Sequence, residues 1–150
     1  MGEFGSIDEV MEFAIDREIE ANQLYTNLAQ QTKSITMRKV FEDFAKEELG
    51  HKTKLETMKA NKLTVPMEKV TDLKIADYVV DVEPGPDMDY QDVLIMAMKK
   101  EKASFHLYTD LAEVIENQAQ KETFLSLARE EAGHKLRFEI EYDDVVLKEN

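Results

Sequence analysis

The sequence predicts an all-α four-helix bundle made of two antiparallel helical hairpins joined by a long crossover. Helix-forming residues dominate a chain of 150 residues that contains only five Gly and three Pro. Four long segments carry apolar residues at the three- and four-residue steps of an amphipathic helix. One segment interrupted by Pro and Gly separates these four into two pairs. A chain of this length is most simply a single domain, residues 1–150.

The helix boundaries follow from the ends of each apolar stripe and from the residues that punctuate them. Ser6 and Glu9 stand in the spacing of a capping box and mark the first start. Connections within each pair are short, so each pair is expected to be an antiparallel hairpin. The predicted helices cover about residues 6–31, 36–60, 90–117 and 118–147.

Residues 61–88 form the predicted crossover between the second and third helices. Pro66 and the run Pro84-Gly85-Pro86 interrupt any long helix here, and a short helix is predicted over residues 71–80. The segment is long enough to cross the length of a bundle. We therefore expect the second hairpin to join in the same sense as the first, as in bundles that have a single long crossover.

A Glu-x-x-His pattern occurs twice, in the second and fourth predicted helices, 83 positions apart. A lone glutamate precedes each copy, on the first or third helix, with the same offset. One Glu from each of two helices and Glu-x-x-His from the other two is the ligand set of di-metal carboxylate bundles. The six candidate metal ligands are Glu18, Glu48, His51, Glu101, Glu131 and His134.

The same offset relates much more of the chain than these six residues. Aligned without gaps, residues 18–59 and 101–142 share identities such as Tyr25 with Tyr108 and Phe41 with Phe124. A common helical period would match apolar classes rather than identities. Duplication of a helical hairpin is therefore the simpler explanation.

All six candidates fall in the middle of the apolar stripe of their helix. Burying a carboxylate costs several kcal/mol unless it is protonated, paired or bound to a metal. The stripes hold no Lys or Arg near the four glutamates, whereas two divalent cations would balance them. Carboxylate and imidazole ligands suit iron, manganese or zinc. The pattern thus predicts a two-metal centre; the alternative is a coincidence of acidic surface helices.

Composition excludes several other classes of function. Without Cys, the chain has no disulfides, no thiolate catalysis and no Cys-ligated metal. Its net charge of −13 argues against nucleic acid as a partner. No apolar run approaches the ~18 residues of a membrane span, and no secretory signal begins the chain. A soluble cytoplasmic protein is the expectation.

In these motifs the chain resembles the rubrerythrin-like branch of the ferritin-like di-iron carboxylate superfamily. The resemblance covers nearly the whole chain and is most specific in residues 18–25, 47–51 and 130–134. It implies two iron ions as the cofactor, with zinc or manganese as substitutes, and a reaction with hydrogen peroxide or dioxygen. The implied roles are terminal ligands for Glu18 and Glu101, metal bridges for Glu48 and Glu131, and one capping ligand each for His51 and His134.

The chain departs from rubrerythrin proper in two ways. It has no Cys-ligated rubredoxin domain, so the expected electron donor is a separate protein. Rubrerythrin proper has an extra Glu one turn after the third-helix ligand, and Ser104 stands there in this chain. A hydroxyl is a poor substitute for an anionic ligand, which weakens the likeness to the peroxidase mechanism and predicts a more symmetric site.

The sequence therefore favours a di-iron oxidoreductase of the rubrerythrin-like peroxidase type. Two alternatives remain: a ferroxidase or iron-handling protein, and a non-catalytic bundle with a structural zinc or manganese site. A hydroxylase acting on an organic substrate is a further possibility, and it requires a substrate-sized apolar channel to the metals. Association through exposed helix faces predicts a homodimer.

Residues near the candidate ligands suggest supporting roles. Tyr25 and Tyr108 lie two turns after Glu18 and Glu101 on the same helix faces. Each is predicted to donate a hydrogen bond to a ligand carboxylate of another helix, although an ordinary buried Tyr would show the same pattern.

Two further pairs are related by the repeat. Gly50 and Gly133 directly precede the two histidines, where Gly is costly in a helix, and they predict close packing or a local helix distortion. Glu47 and Glu130, like Glu20 on the first helix, neighbour ligands but point off the stripe, and we interpret all three as solvated.

Overall fold

A computed structural model describes residues 3–80 and 88–149 of the chain. Within them the chain forms five α-helices, four of which are long, and one short 3₁₀ turn at Ile75–Asp77. The helices are α1 (Ile7–Gln31), α2 (Ile35–Ala60), α3 (Met67–Asp72), α4 (Tyr90–Val114) and α5 (Gln118–Glu149). The all-α prediction is confirmed, and the four long helices begin and end within a few residues of the predicted boundaries.

Each long helix begins at a polar side chain that accepts a hydrogen bond from a backbone N–H three residues later. The accepting side chains are those of Ser6, Ser34, Asp89 and Asn117, at 2.9–3.2 Å. Such caps satisfy N–H groups that have no partner within the helix. The Glu9 carboxylate reaches back to the N–H of Gly5 rather than that of Ser6, so the predicted capping box is displaced by one residue.

The long helices form two antiparallel hairpins, as predicted. Three residues connect α1 to α2, and three connect α4 to α5. The two helices of each hairpin pack along each other, and the hairpins meet through α1 against α4 and α2 against α5.

The direction of the second hairpin differs from the expectation. One hydrophobic cluster combines the first half of α1 and of α5 with the second half of α2 and of α4. The second cluster combines the opposite halves. Helix α4 therefore runs parallel to α2 and antiparallel to α1. The predicted long crossover between the hairpins is confirmed, but the expectation that the second hairpin runs in the same direction as the first was wrong. The crossover returns the chain to the end of the bundle where α2 began, so α4 repeats the direction of α2.

The crossover also forms its helix earlier than predicted. Helix α3 follows Pro66 directly, whose fixed φ suits a helix start, and it ends at Asp72 instead of extending over residues 71–80. Buried Val70, Leu73 and Tyr78 attach the segment to one end of the bundle. The run Pro84-Gly85-Pro86 lies outside the described residues.

A polar layer separates the two hydrophobic clusters at the middle of the bundle. Along each long helix, the residues before this layer belong to one cluster and the residues after it to the other. The layer is thus enclosed by apolar side chains at both ends. Its members are Glu18, Glu48, His51, Glu101, Glu131 and His134.

No helix among residues 3–80 and 88–149 is both long and apolar enough to cross a bilayer.

Candidate metal centre

All six residues singled out by the repeat meet in the middle of the bundle. Each is buried, with at most 4% of its surface exposed. Their ligand atoms form two groups within which every pair of atoms lies closer than 4.8 Å. One group holds Glu18, Glu48, His51 and Glu131, and the other holds Glu48, Glu101, Glu131 and His134. Glu48 and Glu131 are common to both groups.

The inner nitrogen of His51 faces the carboxylates of its group. Its Nδ1 atom lies 2.7 Å from Glu131 Oε1 and 3.6 Å from Glu18 Oε2. The same atom lies 3.5 Å from Glu48 Oε1, one turn earlier on α2. The three-residue step places Glu48 and His51 on one face of the helix.

His134 has the equivalent position in the other group. Its Nδ1 atom lies 3.2 Å from Glu48 Oε1 and 3.6 Å from Glu101 Oε1. The two imidazole rings are nearly parallel, with centroids 6.3 Å apart. Together the two groups have the symmetry expected from a duplicated hairpin.

The two predicted tyrosine contacts are present, and they cross between the hairpins. Tyr25 on α1 donates a hydrogen bond to Glu101 Oε1 on α4. Tyr108 on α4 donates to Glu18 Oε1 on α1. Burial and the neighbouring carboxylates raise the pKa of both tyrosines well above the usual value. Both hydroxyls therefore keep their protons and act as fixed donors.

Removing either tyrosine hydroxyl should weaken metal binding to the same extent. Tyr25→Phe and Tyr108→Phe each leave one glutamate without its donor, and loss of such an outer contact typically costs about 10–100-fold in affinity. Metal titration of both variants tests this. Tyr90→Phe is the control, because Tyr90 donates to Glu141, outside the layer. Unequal losses for the two variants, or none, would contradict the crossed arrangement.

The interpretation of Glu47 and Glu130 as solvated was wrong. Glu130 Oε2 lies 3.2 Å from the outer nitrogen, Nε2, of His51. Glu47 Oε2 lies 3.1 Å from Nε2 of His134. Both side chains are about half exposed, but each reaches the histidine of the other hairpin. The contact of Glu47 with His134 is a hydrogen bond, which fixes the orientation of that ring and presents the opposite nitrogen to the centre, whereas Glu130 lies close to His51 without a well-oriented hydrogen bond.

The two helical glycines do not have the packing role predicted for them. A Cβ atom added to Gly50 or Gly133 would meet nothing within 4 Å. Both residues are exposed, have no positive φ and lie inside uninterrupted helices. Close packing and helix distortion are therefore both wrong as explanations.

Alanine at either glycine should stabilise the protein. Gly50→Ala and Gly133→Ala are each expected to raise the free energy of unfolding by about 1 kcal/mol, because Ala loses less backbone entropy in a helix. Chemical denaturation measures this change. Ala132→Gly, at the exposed neighbouring position on α5, should produce a loss of similar size. Destabilisation by Ala at Gly50 or Gly133 would show that the glycine is needed.

Crowding of the carboxylates changes their protonation. Burial, with repulsion from Glu101 and Glu18, raises the pKa of Glu48 well above its usual value. Burial, with repulsion from Glu101, Glu48 and Glu18, likewise raises the pKa of Glu131. Burial opposes the charge of Glu101 as well, but the neighbouring Glu131, His134 and Tyr25 outweigh it and lower the pKa of Glu101. The two shared glutamates therefore hold their protons to a higher pH than ordinary glutamates do.

The pKa of His134 is also raised, but by a different cause. Burial disfavours the charged ring, yet the nearby carboxylates of Glu101 and Glu48 raise its pKa to about 11. Without a metal, the layer thus offsets its negative charge with protons. A metal ion would replace those protons.

The chemistry of the donor set fits metal ions better than any protein partner. Glu18 Oε2, Glu101 Oε2 and both oxygens of Glu131 are buried and accept no hydrogen bond. Neither Nδ1 atom of the two histidines has a well-oriented hydrogen bond. Unpaired buried polar atoms are costly, and here they converge from four helices. The arrangement is suited to two cations that share Glu48 and Glu131.

Ser104 stands one turn after Glu101 and does not supply an extra carboxylate to the layer. It lines a cavity that also contains Glu101 and Tyr25 in its wall. The six residues of the centre are therefore symmetric between the hairpins, as expected from this substitution.

Comparison with known proteins agrees with this architecture. The structure is similar to a crystal structure from Thermotoga maritima described as a ferritin-like diiron-carboxylate protein. The TM-score is 0.79 at 20% sequence identity, covering 97% of this chain and 99% of the other. At that identity the likeness shows the fold alone, which is ferritin-like. No curated protein sequence matches the chain.

The sequence profile described as Rubrerythrin matches residues 9–84 and 92–150, which include all six residues of the polar layer. The match spans most of both hairpins. This chain belongs to the rubrerythrin family.

Proposed function

We propose that the protein is a di-iron oxidoreductase that reduces hydrogen peroxide or dioxygen with electrons from a separate donor protein. The observation that carries this proposal is the pair of overlapping ligand groups that share Glu48 and Glu131 in one buried layer. Membership of the rubrerythrin family and the ferritin-like fold support iron as the metal.

Each metal would have its own hairpin-derived ligands. Glu18 and His51 would hold one ion, and their repeat equivalents Glu101 and His134 the other. Glu48 and Glu131 would bridge the two. When bound, two Fe²⁺ ions supply two electrons to one oxidant, enough to convert hydrogen peroxide and two protons to two water molecules.

The protein's own residues would position and enclose this chemistry. Tyr25 and Tyr108 hold the terminal glutamates by their Oε1 atoms. Glu47 hydrogen-bonds the outer nitrogen of His134, and Glu130 lies 3.2 Å from that of His51. The hydrophobic clusters on both sides exclude bulk water, which strengthens the attraction between the anionic ligands and Fe³⁺.

Anaerobic loading with Fe²⁺, followed by peroxide and dioxygen in parallel, tests the proposal. We expect two irons per chain and oxidation by at least one of the oxidants faster than that of free Fe²⁺. Glu131→Gln should abolish both results, whereas Glu56→Gln, an exposed glutamate paired with Lys52 on α2, should change neither. Loading of fewer than two irons by the unmodified chain, or oxidation no faster than in solution, would refute the proposal.

Iron oxidation for release or storage is the second candidate, and Ser104 favours it. Without the extra carboxylate, the centre lacks the additional anionic ligand of the rubrerythrin peroxidases. Repeated additions of Fe²⁺ separate the two functions. A ferroxidase would turn over each addition and release Fe³⁺ as a mineral, whereas a peroxidase would retain its iron and require the electron donor.

A non-catalytic zinc or manganese site predicts a different metal content. Analysis of the metal in protein purified from its native host distinguishes this alternative. Zinc as the main metal would contradict both iron functions.

A further inference from the structure

A cavity of about 290 Å³ lies between α1, α4 and the end of the described crossover segment. Its inner wall includes the buried residues Glu101 and Tyr25, so it extends from the surface of the protein to the polar layer. Ser104 and Ala21 are equivalent positions in the repeat, and both line it with small side chains. A larger side chain at Ser104, such as the glutamate of rubrerythrin proper, would occupy this space.

Two cationic side chains line the cavity, and the repeat relates them. Arg17 directly precedes Glu18, and Lys100 directly precedes Glu101. Arg17 pairs with Glu20 at 2.9 Å and lies 4.5 Å from the centre of the Phe13 ring, but its buried Nε has no hydrogen-bond partner. Lys100 forms no ion pair with any described residue. Both cations are half-buried, so salt screens their attraction to an anion less than it screens that of fully exposed charges.

The rest of the wall combines apolar side chains with the carboxylate of Glu20, the ion-pair partner of Arg17. It includes an aromatic ring at Phe13 and the aliphatic side chains of Val79, Val80 and Leu107. The cavity therefore combines apolar side chains with two cations and with the carboxylates of Glu20 and Glu101, of which Glu20 is paired with Arg17. Lys100 has no such partner among the described residues, and the volume of the cavity far exceeds that of peroxide or dioxygen.

We propose that this cavity binds a small organic carboxylic acid with an aromatic or branched apolar body. The carboxylate pairs with Arg17 and Lys100, and the body lies against Phe13 and Leu107, next to Glu101. A cavity of ~150 Å³ accommodates benzene, so twice that volume accommodates about ten to twelve non-hydrogen atoms. The position of this ligand beside a redox centre rests on the proposed function, but its binding does not require iron.

Calorimetric titration with phenylacetate tests the proposal, using metal-free and zinc-loaded protein in parallel. We expect one ligand per chain with a dissociation constant of about 1 mM or below, as an acid of this size allows. The neutral analogue phenylacetamide should bind at least about tenfold more weakly, because it lacks the charge that the two cations recognise. Failure of both protein forms to bind phenylacetate, or equal binding of the amide, would overturn the proposal.

Matched variants locate the binding site. The double variant Arg17→Gln, Lys100→Gln should weaken phenylacetate at least about tenfold. The double variant Lys99→Gln, Lys102→Gln makes the same change of charge on α4 outside the cavity and should leave binding unchanged. Binding that responds equally to both pairs would reflect general charge and would contradict this site.

Filling the cavity provides an independent test. Ser104→Leu should abolish binding, and Ser104→Ala, which keeps the space, should preserve it. Retained binding in Ser104→Leu would overturn the proposal. Because zinc-loaded protein is redox-inert, the proposed oxidation of iron and the proposed binding of the acid succeed or fail in separate measurements.

Discussion

Replacing Glu131 with glutamine is expected to remove both metals from the chain, whereas replacing Glu18 is expected to remove one. Glu131 belongs to both ligand groups, and Glu18 belongs to one. Glutamine keeps the shape of the side chain but removes the anionic oxygen that a hard cation requires. Since loss of an outer contact costs about 10–100-fold in metal affinity, loss of a direct ligand should cost more than about 100-fold.

Metal analysis after dialysis measures this difference, and the repeat supplies a second pair of variants. Glu48→Gln should behave like Glu131→Gln, and Glu101→Gln like Glu18→Gln. Glu56→Gln, which changes the same charge on the surface of α2, should retain two metals. Loss of one metal from all four variants would contradict the bridging roles of Glu48 and Glu131.

The metal-free protein is expected to lose stability as the pH rises from about 5 to about 10. Burial and carboxylate repulsion raise the folded-state pKa of Glu48 and Glu131 above the ordinary value of 4.5. The nearby carboxylates of Glu101 and Glu48 raise the folded-state pKa of His134 from 6.5 to about 11, although burial opposes the charged ring. In this range the folded state therefore holds more protons than the unfolded state.

The loss of stability with rising pH follows from this difference in bound protons. Each proton that only the folded state retains lowers the folding equilibrium constant about tenfold per pH unit as the pH rises. For the two glutamates the loss begins near pH 4.5, and for His134 it begins near 6.5 and is complete near 11. The lowered pKa of Glu101 acts in the opposite direction, but only below about pH 4.5.

Denaturation in the presence of a chelator, at several pH values, measures this dependence. The double variant Glu48→Gln, Glu131→Gln should flatten it, because glutamine does not titrate. Metal-loaded protein should show the opposite trend, since metal binding releases protons and strengthens as the pH rises. A chelated protein that becomes more stable from pH 5 to pH 8 would refute this description of the layer.

The fold and the polar layer were largely predictable because they depend on helical periodicity. The three- and four-residue spacing of apolar residues fixes which face of each helix is buried. The four glutamates and two histidines interrupt those stripes at matching positions. Ser6 marked the first helix start because a side-chain acceptor at that position satisfies a free backbone N–H.

The features that could not be predicted depend on the relation between helices. Periodicity places Glu47 and Glu130 outside the stripe, but it does not show that a long side chain reaches a histidine of the other hairpin. Their identity across the repeat is the sequence signal for this contact. The direction of α4 and the cavity beside Ser104 depend on the path of the crossover, for which periodicity gives no information.

The central claim is that one buried layer binds two metal ions between the duplicated hairpins. Anomalous diffraction at the iron edge, from crystals of the iron-loaded protein, tests it most directly. We expect two peaks about 3.5–4 Å apart, with Glu48 and Glu131 between them and one histidine on each side. A single peak, or peaks away from this layer, would contradict the claim.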